Sequence, residues 1–409
     1  MTNVLVVTER FYPPWSDGTV SYARGLVDSI SEAVTLGKNL EITVLSLTDK
    51  MWFPKRHHHE MKEYFQKTNL KLEWFSTSER WQQMNLWKLF RKISQNKNYE
   101  LVHLIYLGLN PLLMSIPNKN RSIIAKHLMV YPFHQSFSVE KYLYNFFYKT
   151  RIFQGRNINL VFSSEVLQRL YNAKEASVLP PAVDTSFYRP RSRSPEVYGL
   201  LMNASKKLGD ASEILQKDAV ALYMGPLSHE RFDYRCIISG FAKLCRENGV
   251  DGGLLIVGRG FEQPSFLEEI KKYVDVNGLT HRVFICMKSL TETEKSLLFN
   301  GSDVFIYPIT AKLHHMSIVF PPISLLEAMA SGLCVISGGL PGQDSFIKNS
   351  ENGILLEDKI TSKTIADAAL VSIQKKKTIS QNARLTVEKN FSVKQVSKLY
   401  SEFLSKVGV

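Results

Sequence analysis

Short, nearly continuous apolar runs alternate along this chain with stretches in which apolar residues recur every three to four positions. The runs Val4–Val7, Glu41–Leu47, Leu101–Leu104, Ser122–Ala125 and Leu160–Ser163 fit strands covered on both faces. Between them, Thr19–Ser31, Trp81–Ser94, a Pro111–Met114 segment and Lys141–Arg151 carry the helical pattern. The rhythm then restarts. Strands are predicted at Val220–Met224, Gly253–Val257, Val283–Ile285, Val304–Tyr307 and Leu333–Ile336, with helices at Tyr234–Glu247, Ser265–Val276, Thr291–Asn300 and Ile323–Ser331. Repeated strand–helix–strand order predicts an α/β protein with a doubly wound parallel sheet, twice over.

Between the two sets lies Val178-Leu179-Pro180-Pro181-Ala182-Val183-Asp184, followed by a polar stretch with Pro190, Arg191, Arg193 and Pro195, which reads as a hinge. The expected division is residues 1–190, residues 191–385 and a closing segment, 386–409, in which Val387–Leu404 has an amphipathic helical pattern. Lys375-Lys376-Lys377 is expected to end the preceding helix, where it complements a negative C-terminus. Ligands of open parallel sheets bind beyond the carboxyl ends of the strands, so two such domains facing each other would make a cleft.

A length of 409 residues suits two domains, each large enough for its own core, and 44% hydrophobic with 22% charged residues is an ordinary globular composition. The N-terminus has no basic leader before its apolar run, and Leu101–Pro117, the richest apolar stretch, is interrupted by His103, Asn110 and Pro111. Cys236, Cys245, Cys286 and Cys334 stand singly in apolar surroundings, as reduced thiols of a cytoplasmic protein do.

The net charge of +13 is uneven, with +9 in residues 1–190 and +4 in the remainder. Residues 51–98 hold ten basic and four acidic residues among Trp52, Phe53, Phe65, Trp74, Phe75, Trp81, Trp87 and Phe90. Such interleaving suits peripheral contact with an anionic membrane, at its inner face for a cytoplasmic protein. A solvated basic face whose aromatic rings are core explains it equally well. No motif of a nucleic-acid reader is present, and no nucleic-acid partner is expected.

Most common active-site plans are missing. No G-x-G-x-x-G follows the first strand, Val257-Gly258-Arg259-Gly260-Phe261 has two of that motif's glycines, and there is no P-loop, no nucleophile elbow and no Asp-x-Asp pair at a strand end. His57-His58-His59 cannot share one face of a helix or strand and reads as a polar loop tip, so no metal site is expected. What remains is the helix start Phe320-Pro321-Pro322-Ile323-Ser324-Leu325-Leu326-Glu327, whose free N–H groups suit a phosphate and whose Glu327 lies one turn inside. Glu327 suits vicinal hydroxyls such as those of a ribose, or complements the helix dipole.

These residues carry a resemblance. Leu222-Tyr223-Met224-Gly225 with Arg231 following, Leu254–Gly260, Arg282-Val283-Phe284, Ser302–Pro308, Leu325–Gly332 and Glu351–Leu355 occur in the order found in the donor domain of retaining family 4 glycosyltransferases. In the first half, Phe11-Tyr12-Pro13-Pro14 before Gly18, Ile123–His127 and Pro180–Pro190 resemble the same family's glycine loop, histidine strand and linker. The resemblance implies the GT-B fold, two Rossmann-like domains facing across a cleft, with the last helix packed back on the N-terminal domain. It implies a hexosyltransferase that moves a sugar from a UDP- or GDP-linked nucleotide sugar to a glycan, lipid-linked or other hydroxyl acceptor with retention of configuration, without metal or cofactor. Arg231 would neutralise the diphosphate, Glu327 would hold the ribose, and the N–H groups of Ile323 and Ser324 would face the phosphates and sugar. Gly18 would allow close approach of backbone to substrate, and His127 would contact the transferred sugar.

The chain departs from that pattern in places. Eight positions before Glu327, where the family carries an acidic residue, stands Val319, and the usual arginine after Gly225 is Pro226. The first glycine of the N-terminal loop is Asp17, and His314, His315 and Met316 lie in a longer connection before Glu327 that also holds Lys312. The alternative is therefore a catalytically degenerate GT-B protein that binds a sugar nucleotide or acts as a scaffolding subunit.

Overall fold

The computed structural model describes residues 1–8, 10–13, 15, 18–46, 62–66, 70–74, 99–105, 123–131, 158–204, 206–227, 233–259, 264–308, 318–338, 342–356 and 360–409. They form two compact units. The first comprises Met1–Ala182, Ser317–Ile323 and Phe391–Val409, and the second Val183–Met316 and Ser324–Asn390.

The strands of the first unit are β1 (Thr2–Thr8), β2 (Leu40–Ser46), β3 (Lys71–Trp74), β4 (Leu101–Ile105), β5 (Ile123–Leu128), the two-residue β6 (Val130–Tyr131), β7 (Ile158–Phe162) and β8 (Ser177–Val178). Seven of them, all but β6, form a sheet in the order β3-β2-β1-β4-β5-β7-β8, parallel throughout. Both faces of β1 and β4 are covered, which is why their sequences are continuous apolar runs. The helix Gly18–Thr35 links β1 to β2 and buries Tyr22, Ala23, Leu26, Val27 and Ile30. Its Gly25 lies so near the Ala182 backbone that a Cβ would stand 2.6 Å from the carbonyl oxygen.

The closing helix, Val393–Val407, belongs to this unit and adds Tyr400, Phe403 and Leu404 to the core. The amphipathic pattern predicts one helix from Val387 to Leu404, but the structure has two. Lys376–Asn390 ends the first, and Ser392 starts the second by accepting a hydrogen bond from Gln395 N–H. The lysine cluster is divided likewise: Lys375 caps Ser362–Gln374, while Lys376 and Lys377 open the next helix.

The second unit is built on β9 (Lys206–Leu208), β10 (Ala219–Met224), β11 (Gly252–Gly258), β12 (Val283–Met287), β13 (Val304–Pro308), β15 (Cys334–Gly338) and β16 (Ile354–Leu356). Their order is β16-β15-β13-β10-β11-β12-β9, parallel except for β9, which runs against β12. The short β14 (Ile318–Val319) pairs instead with β6 inside the first unit. The helices Tyr234–Glu247, Pro264–Val276, Glu292–Asn300 and Ile323–Ala330 follow the expected segments to within a residue or two. Ile237, Ile238, Phe241, Leu254, Ile256 and Ile285 meet in the core.

Cys286 and Cys334 are buried, Cys236 and Cys245 half-buried, and all four are free thiols. Burial pushes Cys236, Cys286 and Cys334 up to about 11, so none is a ready nucleophile. Among the described residues, no helix is long and apolar enough to cross a membrane. The helical expectations for Trp81–Ser94, Pro111–Met114 and Lys141–Arg151 fall outside the described residues, as do His57–His59 and most of the basic stretch 51–98. Phe65 is one ring of that stretch whose place is described. It packs against the first core, 6.0 Å from Phe11.

Candidate active site

Among its parallel strands each sheet reverses order once, between β1 and β4 in the first unit and between β10 and β13 in the second. Ligands of doubly wound folds gather beyond the carboxyl ends of the strands at such points. In the second unit, that edge is shaped by two glycines. Gly225 donates to Val257 O at 3.1 Å, and Leu227 N–H to Arg259 O at 2.8 Å, so the turn after β10 rests on the end of β11. A Cβ on Gly258 would lie 1.6 Å from the Gly225 carbonyl oxygen. Gly258→Ala is therefore expected to destabilise the protein by about 2–3 kcal/mol, read as a lower melting temperature.

Glu327 lies one turn inside the helix Ile323–Ala330, in the crossover from β13 to β15. It is 4% exposed. Lys295 Nζ lies 2.9 and 3.1 Å from its two carboxylate oxygens. The same ammonium lies 2.6 Å from Glu292 Oε1, and Glu292 Oε2 accepts a hydrogen bond of 2.7 Å from Tyr188 Oη. Burial alone would push the Lys295 ammonium down, but the adjoining carboxylates of Glu292 and Glu327 outweigh it and hold the group above the ordinary lysine value. Glu292, Lys295, Ser296 and Phe299 occupy one helical face at spacings of three, four and seven, all buried. Charged residues on a core-facing stripe are the sequence signal that the motif reading passed over.

Ile323 and Ser324 open the helix, where backbone N–H groups have no intrahelical acceptor. The side chain of Ile323 enters the first unit's core, and Ser324 is half-buried. Arg231 lies outside the described residues. The helix just after it begins at Asp233, whose carboxylate accepts from Cys236 N–H at 3.1 Å. Pro226, at the position where the resembling family has an arginine, offers its carbonyl to Tyr223 Oη at 3.3 Å. Val319 pairs with Val130 in the β14–β6 ladder. Asp17, Lys312, His314, His315 and Met316 are outside the described residues.

In the first unit, Gly18 is the exposed first residue of its helix. His127, near the carboxyl end of β5, is 2% exposed and sits in a directed chain of hydrogen bonds. Tyr22 Oη is 2.9 Å from the Leu179 carbonyl and 3.0 Å from His127 Nδ1. A carbonyl only accepts, so the single Tyr22 proton goes to Leu179 and His127 donates from Nδ1. Burial, with the charges of His103 and Lys126 adding to it, holds His127 well below the usual histidine value, and Nε2 is then a bare acceptor. His103 Nδ1, 2.9 Å away, supplies its proton. Burial pushes His103 down to about 3, leaving its Nε2 to accept from Tyr400 Oη at 3.0 Å. Both ring nitrogens of His127 are thereby committed within the unit.

Other motif segments are tied into the fold through Asn352 and through carbonyls that Arg384 binds. Asn352 donates to Phe346 O and Thr386 Oγ1 and accepts from Lys348 N–H. Arg384 donates to the carbonyls of Thr185, Tyr188 and Ala330. Among the described residues, no group of three or more His, Cys, Asp or Glu side chains is placed to hold a metal ion.

Residues 218–375 match the family model described as glycosyl transferases group 1. Solved structures match over nearly the whole chain. A protein of Anabaena, Alr3699/HepE, crystallised with UDP and glucose, has 16% identity and a TM-score of 0.69 over 99% of this chain and 100% of its own. A glycosyltransferase from Rickettsia africae has 18% identity and a TM-score of 0.68, covering 99% and 98%. Sucrose-phosphate synthase of Thermosynechococcus elongatus has 14% identity and a TM-score of 0.67, covering 100% and 99%. The fold is GT-B. No curated protein matches the chain in sequence. In this GT-B chain the family match spans the second unit's sheet from the residue before β10 through β16 and includes Glu292, Lys295 and Glu327.

Proposed function

We propose that this GT-B protein is a family 4 glycosyltransferase that transfers a hexose from a UDP- or GDP-linked donor to a glycan, lipid-linked or other hydroxyl acceptor, with retention of configuration. The observation that carries the reading is Glu327, a buried carboxylate with a lysine counter-ion, one turn inside the helix of the segment that matches the glycosyl transferases group 1 model. A carboxylate kept ionised accepts hydrogen bonds from both hydroxyls of a ribose. The UDP carried by the Anabaena fold relative favours a uridine donor.

In this reading the N–H groups of Ile323 and Ser324 face the diphosphate or sugar, where a helix start favours negative charge. Arg231 neutralises the leaving diphosphate as a permanently charged, bidentate donor, in place of a metal ion. Gly18 leaves room for backbone beside the substrate. The anomeric carbon–oxygen bond to phosphate breaks as the acceptor oxygen bonds to the same face, and the acceptor's proton passes to the departing phosphate oxygen. Catalysis is then positioning plus stabilisation of the diphosphate charge.

Thermal unfolding against a panel of nucleotide sugars tests the reading. A donor at a hundred times its dissociation constant should stabilise the protein by about 2.7 kcal/mol. Glu327→Gln, which keeps volume and one acceptor beside Lys295, is expected to lose most of that shift. Slow hydrolysis of the bound donor without acceptor marks an enzyme. A donor that binds and never turns over favours the non-catalytic GT-B alternative motivated by Val319 and Pro226, and no shift with any donor overturns the donor reading.

A further inference from the structure

The geometry points to Lys295 as a positioning residue for ribose recognition. It holds Glu327 as an oriented carboxylate, and it is itself held by Glu292 and Tyr188. The inference rests on the donor reading above and adds to it a residue outside the motifs that suggested that reading.

Lys295 Nζ bridges both Glu327 oxygens at 2.9 and 3.1 Å and meets Glu292 Oε1 at 2.6 Å. The ammonium donates to both Glu327 oxygens and meets Glu292 Oε1 as an ion pair. The Lys295 side chain is 6% exposed and those of Glu292 and Glu327 are 11% and 5% exposed, so water does little of the charge balancing. Without a cation at this depth a carboxylate charge is costly, and a carboxylic acid donates one hydrogen bond where a carboxylate only accepts. A carboxylate offers about four acceptor positions, so a carboxylate whose plane Lys295 fixes can also accept from vicinal hydroxyls.

The second carboxylate extends the arrangement. Glu292 Oε2 takes the Tyr188 hydroxyl at 2.7 Å, and the Lys295 ammonium stands 5.6 Å from the centre of the Tyr188 ring. Tyr188 closes the turn that Asp184 begins, its N–H donating to the Asp184 carbonyl at 2.9 Å, while its own carbonyl is held by Arg384. The ammonium is thus located from two sides, as orienting Glu327 requires. A purely structural role explains less, because apolar side chains of similar volume commonly replace a buried ion pair without loss of stability.

The test compares binding of UDP and GDP with binding of their 2′,3′-dideoxy forms, for the wild type and for Lys295→Met, which keeps the aliphatic stem and removes the charge. The wild type is expected to prefer the ribose form of one nucleotide by about tenfold or more. In Lys295→Met that preference should fall close to one, with affinity for the dideoxy form unchanged; equal weakening of both forms, or an unchanged preference, overturns the proposal. If Lys295→Met does not fold, Glu292→Gln serves instead: a severalfold lower preference supports the positioning role, and a wild-type preference refutes it. A wild type that binds a nucleotide without any ribose preference removes the role of Glu327 and with it that of Lys295. One that binds neither nucleotide removes the donor reading itself.

Discussion

Lowering the pH from about 7 to about 4 is expected to cost the first unit several kcal/mol of stability through two side chains, His103 and His127. Both are buried and neutral, and burial depresses both, His103 to about 3. In the unfolded chain each would titrate near the ordinary histidine value of about 6.5. Between those values the unfolded state binds the extra protons, so stability is fully present above about pH 6.5 and is lost as the pH falls toward the folded values. His103 contributes about 1.4 kcal/mol per pH unit over its window, and His127 adds in the same direction. Protonation also breaks the hydrogen-bond chain, because two imidazolium rings would each direct an N–H at the other across 2.9 Å. Urea midpoints measured from pH 7.5 to pH 4 would show it. In the double variant His103→Gln/His127→Gln, where amides both donate and accept but do not titrate, the midpoint should start lower at pH 7.5 and fall less steeply. Parallel slopes in the two proteins would contradict the assignment.

That chain also marks where sequence reading stops. His127 is identifiable from the segment Ile123–His127, but its partners are not: His103 reads as an interruption in the apolar stretch Leu101–Pro117, and Tyr400 as one residue of an amphipathic helix. They meet because the β4–β5 register sets Ile105 beside His127 and His103 beside Ala125, which leaves the two histidines diagonal neighbours on one face, and because the last helix returns to the first core. Register and return path are long-range properties that no local pattern encodes. The same holds for Lys295, whose pairing with Glu327 crosses between two helices.

The main strands and helices were legible because parallel strands covered on both faces must be continuous apolar runs. Elements outside that rule were missed. Lys71-Leu72-Glu73-Trp74 and Lys206-Lys207-Leu208 become strands at the edges of their sheets, and the latter runs antiparallel. An edge strand has one hydrogen-bonding neighbour and more access to water, so charged residues are tolerated and the apolar signature is lost. The division of the C-terminal helix had a local signal, Ser392 followed three residues later by Gln395, which the longer apolar periodicity outweighed.

Asp303→Ala is expected to destabilise the second unit by about 3 kcal/mol or more, the scale for removing one partner of a buried charge pair. Asp303 is 7% exposed, and its carboxylate has three donors: Val220 N–H at 2.7 Å, Arg193 Nη2 at 3.1 Å and Lys376 Nζ at 2.5 Å. Those donors belong to β10, to the polar stretch after Pro190 and to the helix Lys376–Asn390, so one side chain ties three separated segments. The main chain adds to the tie, with Asp303 N–H donating to Val220 O at 2.8 Å and the Asp303 carbonyl accepting from Cys334 N–H at 3.2 Å. Alanine keeps these backbone bonds but strips Val220 N–H of its acceptor at the start of the central strand, and an orphaned buried donor costs about 1–3 kcal/mol alone. Arg193 and Lys376 are partly solvated, their side chains 32% and 50% exposed, so they recover some hydration and keep the total near the lower end of the range. Asp303→Asn separates the contributions. Its amide oxygen still accepts from Val220 while the charge is gone, so its loss in urea stability should be about half that of alanine. Equal losses for the two variants would mean that the ion pairs, and not the backbone acceptor, are what Asp303 provides.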